Sequence, residues 1–223
     1  MNAIYQTLKQ LHIVPVVVLD DAKDAEPLAE ALCKGGLPCA EVTFRTPAAE
    51  ESIRIMAEKF PEMTVGAGTV LTIDQVNRAV DAGARFIVSP GLNPRIVQYC
   101  IDRGIPVIPG CSSPSDIEQA LECGLKVVKF FPAEAAGGLK YIKAVAAPYT
   151  DVLFMPTGGI NPVNVKEYLA YDRILACGGS WMVKSSLIRE GAFDQITQLV
   201  KDAADIAASI CGAEQAGDAP CQK

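Results

Sequence analysis

Two lysines stand three residues apart in Lys126-Val-Val-Lys-Phe-Phe-Pro-Ala-Glu134, and the second, Lys129, sits among apolar neighbours. A lysine amine attacks a carbonyl only when it is unprotonated, and an ordinary lysine is neutral in about one molecule in 2,500 at pH 7. Apolar surroundings and a nearby cation favour the neutral form and turn the amine into a nucleophile able to form an imine with a ketone. Such chemistry also needs a group that moves protons. Glu41-Val-Thr-Phe-Arg45 offers a carboxylate, with Arg45 as the neighbouring cation.

Two Gly-Gly pairs, in Thr157-Gly158-Gly159-Ile160-Asn161-Pro162 and Cys177-Gly178-Gly179-Ser180-Trp181, let backbone N–H groups approach an anion without side-chain interference. Ser180 adds a hydroxyl, and Lys184-Ser185-Ser186 is expected to begin a short helix beside it. Gly66-Ala-Gly-Thr69-Val70 and Ser89-Pro90-Gly91 bring small residues and hydroxyls, and Thr43 and Thr69 are candidate donors to a carboxylate or carbonyl oxygen.

These residues need elements to position them. Short apolar runs predict strands at Ile13–Leu19, Cys39–Phe44, Met63–Gly68, Phe86–Ser89, Pro106–Gly110, Lys126–Phe130, Val152–Pro156 and Ile174–Cys177. A helical pattern follows each: Ala25–Gly35, Pro47–Phe60, Ile73–Ala82, Pro94–Arg103, Pro114–Cys123, Leu139–Ala146, Pro162–Ala170 and Phe193–Ile210. Proline opens several and glycine closes several, the usual start and stop chemistry. Eight βα units in one chain predict a single (β/α)8 TIM barrel over residues 1–211, with an extra N-terminal helix over 2–11 and a flexible tail over 212–223.

In such a barrel the site lies at the C-terminal ends of the strands. Side chains alternate along a strand, so Glu41, Thr43 and Arg45 share the face opposite Ala40, Val42 and Phe44. The apolar set must pack on helices, which turns Glu41, Thr43 and Arg45 inward. Lys126 starts its strand at the far rim, within reach of water, whereas Lys129 lies near the site end. The bland reading of Glu41 and Arg45 is a structural ion pair, and that of Lys129 is a lysine snorkelling to the rim or paired with Glu41.

Composition removes other chemistries. The single histidine, His12, argues against histidine-based triads and polyhistidine metal sites. The net charge of −6 with no basic block argues against nucleic acid. The run from His12 to Leu19 is far shorter than the ~20 residues that span a bilayer, so no membrane association is expected. Eight cysteines, without a Cys-x-x-Cys pair, read as reduced thiols of a cytoplasmic protein.

Six segments in one order, running in register from about Val14 to Leu199, resemble the 2-keto-3-deoxy-6-phosphogluconate (KDPG) and 4-hydroxy-2-oxoglutarate (KHG) aldolase family. They are Glu41-Val-Thr-Phe-Arg45-Thr46, Val65-Gly-Ala-Gly-Thr-Val-Leu71, Ser89-Pro-Gly-Leu92, Lys129-Phe-Phe-Pro-Ala-Glu134, Pro156-Thr-Gly-Gly-Ile160 and Gly178-Gly-Ser-Trp181. The resemblance implies a class I aldolase acting as a homotrimer without metal or other cofactor. It implies Lys129 as the Schiff-base lysine, Glu41 as the general acid/base and Arg45 as partner of the substrate carboxylate. Thr69 and Pro90 would line the pyruvyl pocket, Phe131 its apolar wall, and Thr157 would add a contact. Gly158, Gly159, Gly179 and Ser180 would cradle the phosphate. Lys184 departs from the proline of some relatives, and the chain after Ile210 is longer than usual.

Three alternatives share parts of this pattern. Galactonate-type aldolases have the lysine and glycine turns but not the Thr-Phe-Arg-Thr form of the second strand. A phosphosugar isomerase or epimerase would use the glycines without an imine, and a non-catalytic sugar-phosphate-binding protein would need neither Lys129 nor Glu41.

Overall fold

The structure is a computed structural model that describes residues 2–217, with side chains described over 2–210. The elements are α1 (Ala3–Leu11), β1 (Ile13–Val17), α2 (Ala25–Lys34), β2 (Cys39–Thr43), α3 (Ala49–Lys59), β3 (Thr64–Gly68), α4 (Ile73–Asp81), β4 (Ile87–Val88) and α5 (Pro94–Asp102). They continue as β5 (Val107–Ile108), α6 (Pro114–Glu122), β6 (Val127–Phe130), α7 (Gly138–Ala146), β7 (Leu153–Pro156), α8 (Val165–Leu169), β8 (Cys177–Gly179), α9 (Ser185–Arg189) and α10 (Phe193–Gly217).

The strand pairs are parallel, as βα alternation requires. Six strands form one sheet in the order β5-β4-β3-β2-β1-β8, and β6 pairs with β7. Isolated bridges reach across the remaining gaps: Gly110 to Lys129 on the β5 side, and Phe154 to Ile174 and Thr157 to Gly178 on the β8 side. Local capping sets where helices leave the strands. Thr72 accepts from Gln75 N, Asn93 caps ahead of Pro94, and Ser113 with Asp116 forms a capping box ahead of Pro114.

Alternation along the strands divides the interior in two. Ile13, Val17, Ala40, Val42, Val65, Ala67, Val128 and Phe154 point outward into a large cluster shared with the helices. Val14, Cys39, Val88, Ile108, Val127 and Met155 point inward and form a second cluster with Ile4 and Leu8 of α1. That helix therefore caps the N-terminal ends of the strands, and Tyr5 Oη donates to the Val107 carbonyl at 3.1 Å. One step further along, the inward positions turn polar: Cys39 gives way to Glu41, Val127 to Lys129, and Met155 to Thr157.

Several boundaries differ from the sequence expectation. β1 stops at Val17 and β2 at Thr43, and the ladders of β4 and β5 cover two residues each. Gly178 and Gly179 belong to β8, paired with Val14 and Pro15, rather than to a turn. α8 starts at Val165 because Asn161 and Asn164 capture the preceding backbone: Asn161 N donates to Asn164 Oδ1, and Val163 N to Asn161 Oδ1. Helix α10 runs to Gly217, and the rest of the expected tail, 218–223, lies outside the described residues. No helix among the described residues is long and apolar enough to cross a membrane.

Candidate active site

The inward polar residues open onto a cavity of about 350 Å³ at the C-terminal ends of the strands. Every site residue expected from the sequence lines it: Glu41, Arg45, Thr69, Pro90, Lys129, Phe131, Thr157, Gly158, Gly159, Gly179 and Ser180. At its floor Lys129 Nζ lies 3.2 Å from Glu41 Oε1, and the two side chains are 6% and 0% exposed. Lys129 Nζ also sits over the Phe131 ring, 5.4 Å from its centroid.

Register explains this meeting. Glu41 pairs with Val16 on one side and Gly66 on the other, placing the carboxylate in the middle of the largest sheet. The carboxylate then leans over β3, where a Cβ on Gly68 would come within 2.3 Å of Glu41 Oε1. A bare position on β3 is what lets Glu41 reach across. Among the described residues, the buried side-chain oxygens without a hydrogen-bond partner are Glu41 Oε2 and Thr157 Oγ1, both lining this cavity. Native interiors seldom leave such atoms unpaired, so both mark a place for a polar ligand. Gly178 serves Thr157 as Gly68 serves Glu41: a Cβ there would approach Thr157 Oγ1 to 2.3 Å.

The wall is held as firmly as the floor. Thr69 has φ +55°, a conformation costing a β-branched residue about 1–3 kcal/mol. The backbone on either side fixes it: Phe44 N donates to Gly68 O at 2.8 Å, and Val70 N to Val88 O at 3.2 Å. Thr43 proves less available than expected, because its hydroxyl donates to Val17 O at 2.9 Å and accepts from Arg45 Nε at 3.2 Å. Arg45 lies beyond the end of β2, exposed at the cavity edge rather than buried. It also lines an adjoining cavity of about 300 Å³ with Ser180 and Lys184.

The glycines reach the cavity in two ways. Gly158 and Gly159 form the turn after β7 at φ +99° and +84°, whereas Gly179 is a strand residue pressed against the Trp181 ring. Sequence reasoning missed the packing roles of Gly68 and Gly178 and the lining by Val16 and Ile160; a glycine beside a tall polar residue on the next strand was the available signal. The buried thiols of Cys39 and Cys111 are poor rival nucleophiles. Burial, then Glu41, pushes the Cys39 thiol up, and burial pushes that of Cys111 up to about 12.

A buried amine and carboxylate in contact, on parallel strands of an α/β protein, define a site equipped for carbonyl chemistry through a lysine. The comparisons narrow that class. The model of the KDPG and KHG aldolase family matches residues 4–199, so the chain belongs to that family. The 2-dehydro-3-deoxy-phosphogluconate aldolase of Treponema pallidum is 51% identical over 199 residues, covering 89% of this chain and 95% of that protein. The KDPG aldolase of Legionella pneumophila, solved with pyruvate captured as a covalent carbinolamine, superposes with a TM-score of 0.87 at 39% identity, covering 91% and 98% of the two chains. The KDPG aldolase of Zymomonas mobilis ZM4, solved with 3-phosphoglycerate, gives 0.86 at 41% identity over 92% and 96%.

Proposed function

We propose that the chain is a carbon–carbon lyase that cleaves KDPG to pyruvate and glyceraldehyde 3-phosphate through an imine on Lys129, and also cleaves KHG to pyruvate and glyoxylate. The observation that carries this reading is the 3.2 Å contact between Lys129 Nζ and Glu41 Oε1 at the floor of the cavity. Proton transfer across that contact leaves a neutral amine beside a carboxylic acid. The amine adds to the C2 ketone, and Glu41 supplies the proton with which the carbinolamine loses water. The resulting iminium is the electron sink. Glu41, again a carboxylate, takes the C4-hydroxyl proton; the C3–C4 bond breaks, its electrons form an enamine, and the aldehyde leaves. Protonation of the enamine at C3 by Glu41 and hydrolysis of the iminium release pyruvate and restore the amine.

The remaining residues bind. Arg45 at the cavity edge pairs with the substrate carboxylate, and Thr69, Pro90 and Phe131 enclose the pyruvyl part. The unpartnered Thr157 hydroxyl meets a substrate oxygen. Gly158, Gly159, Gly179 and Ser180 present main-chain N–H groups and a hydroxyl to the phosphate. The same reading treats residues 1–211 as one domain, with the strands closed into a (β/α)8 barrel capped by α1. The isolated bridges beside β6 and β8 support closure. It takes the working molecule as a cytoplasmic homotrimer, which sedimentation tests directly.

Borohydride added with pyruvate should fix a stable adduct on Lys129, read by peptide mass spectrometry. Full turnover with Lys129 unmodified defeats the assignment. Turnover surviving Lys129→Ala would instead favour an isomerase using the same glycines.

A further inference from the structure

The loop after β6 and the turn after β7 are bound together outside the cavity. Ala133 N donates to Thr157 O at 2.8 Å, and Glu134 N donates to Gly158 O at 3.0 Å. The Glu134 side chain then folds across the turn: a Cβ on Gly159 would lie 2.6 Å from Glu134 Cβ and Cγ. Its Oε1 accepts a hydrogen bond from Tyr168 Oη on α8. A third grip comes from Asn161 and Asn164, whose Nδ2 atoms donate to Gly159 O at 3.0 and 3.1 Å. Gly138, at the start of α7, leaves room for the pair, since a Cβ there would be 3.0 Å from Glu134 Oε1 and 3.3 Å from Tyr168 Oη. Tyr168 is 2% exposed, and neither it nor Glu134 lines the cavity.

We infer that Glu134 and Tyr168 are positioning residues for the anionic end of the substrate, holding the Gly158–Gly159 turn at the height where its N–H groups meet a phosphate. A carboxylate so close to an anion subsite repels the ligand unless it is turned away and tied down. The Tyr168 hydroxyl ties it, and burial followed by the Glu134 hydrogen bond raises the phenol further above neutrality. The inference rests on the phosphate reading proposed above. It adds that affinity for the phosphate is set from α8, by a residue that never touches substrate.

The test compares KDPG with the same sugar acid lacking its phosphate. Tyr168→Phe should raise KM for KDPG about 5- to 10-fold, within the range for one typical lost hydrogen bond. Its kcat, its KM for the unphosphorylated acid and its rate of borohydride trapping with pyruvate should stay within about twofold of the native protein, as expected for lost ground-state binding. Glu134→Ala should show the same split, while Glu134→Gln, which keeps an acceptor for the phenol, should restore near-native KM. Equal changes on both substrates, or an unchanged KM for KDPG in Tyr168→Phe and Glu134→Ala, overturn the inference. A native protein that does not favour KDPG over the unphosphorylated acid overturns the phosphate reading itself, and this inference with it.

Discussion

Strand β6 and its approach carry two lysine–carboxylate contacts of the same length. Lys126 meets Asp151 at 3.2 Å with side chains 65% and 70% exposed, and Lys129 meets Glu41 at 3.2 Å with both nearly sealed from solvent. The difference lies in what surrounds them. Water screens the first pair and leaves it worth roughly 0–1 kcal/mol. The second is held by rigid strands, with one carboxylate oxygen still unpartnered and a cavity above it. Identical chemistry three residues apart is thus a screened surface contact at one end and a sealed pair at the floor of a cavity at the other. Burial and alternation decide which.

The largest effect that could break this contrast is Lys129→Ala. It should abolish turnover and borohydride trapping, a loss on the order of 10⁴-fold or more, as for other covalent nucleophiles. Lys126→Ala should leave both unchanged, and equal losses would erase the distinction. Next comes Glu41→Gln, expected to lower kcat by ~10²–10⁴ while still permitting some trapping with pyruvate; native-like turnover would remove Glu41 as the proton carrier. Gly68→Ala tests how finely the carboxylate is placed. The added methyl group must displace Glu41, costing about 1–3 kcal/mol of stability and about 10- to 100-fold in kcat, measured by denaturant unfolding and steady-state kinetics. An active, undisturbed Gly68→Ala protein would show that the close approach is incidental. Smallest is Asp151→Asn, which should shift unfolding stability by no more than about 1 kcal/mol and leave activity alone.

Much of this contrast was legible in the sequence because it follows from a period of two. Ala40 and Val42 had to face helices, so Glu41 had to face inward, and the run after Lys129 fixed which end of its strand it occupied. Ladder lengths were less legible, because apolar residues such as Phe86 pack in the interior without extending the strand. Gly178 and Gly179 looked like a turn because glycine usually marks one. Here they are strand residues whose missing side chains make room for Thr157, distant in sequence, and for Trp181, two residues further on. The late start of α8 came from asparagine side chains competing for backbone that Pro162 alone would have made helical.

Helix α1, with Ile4 and Leu8 pushed against the inward ends of the strands, stoppers one side of the molecule. Traffic is then single-ended. With the proposed imine, whatever enters the cavity leaves by the same opening, and the fragment tethered to Lys129 would sit behind the one that is not. In the proposed reaction the aldehyde would depart before water reaches the tether, an order of product release that follows from a single opening.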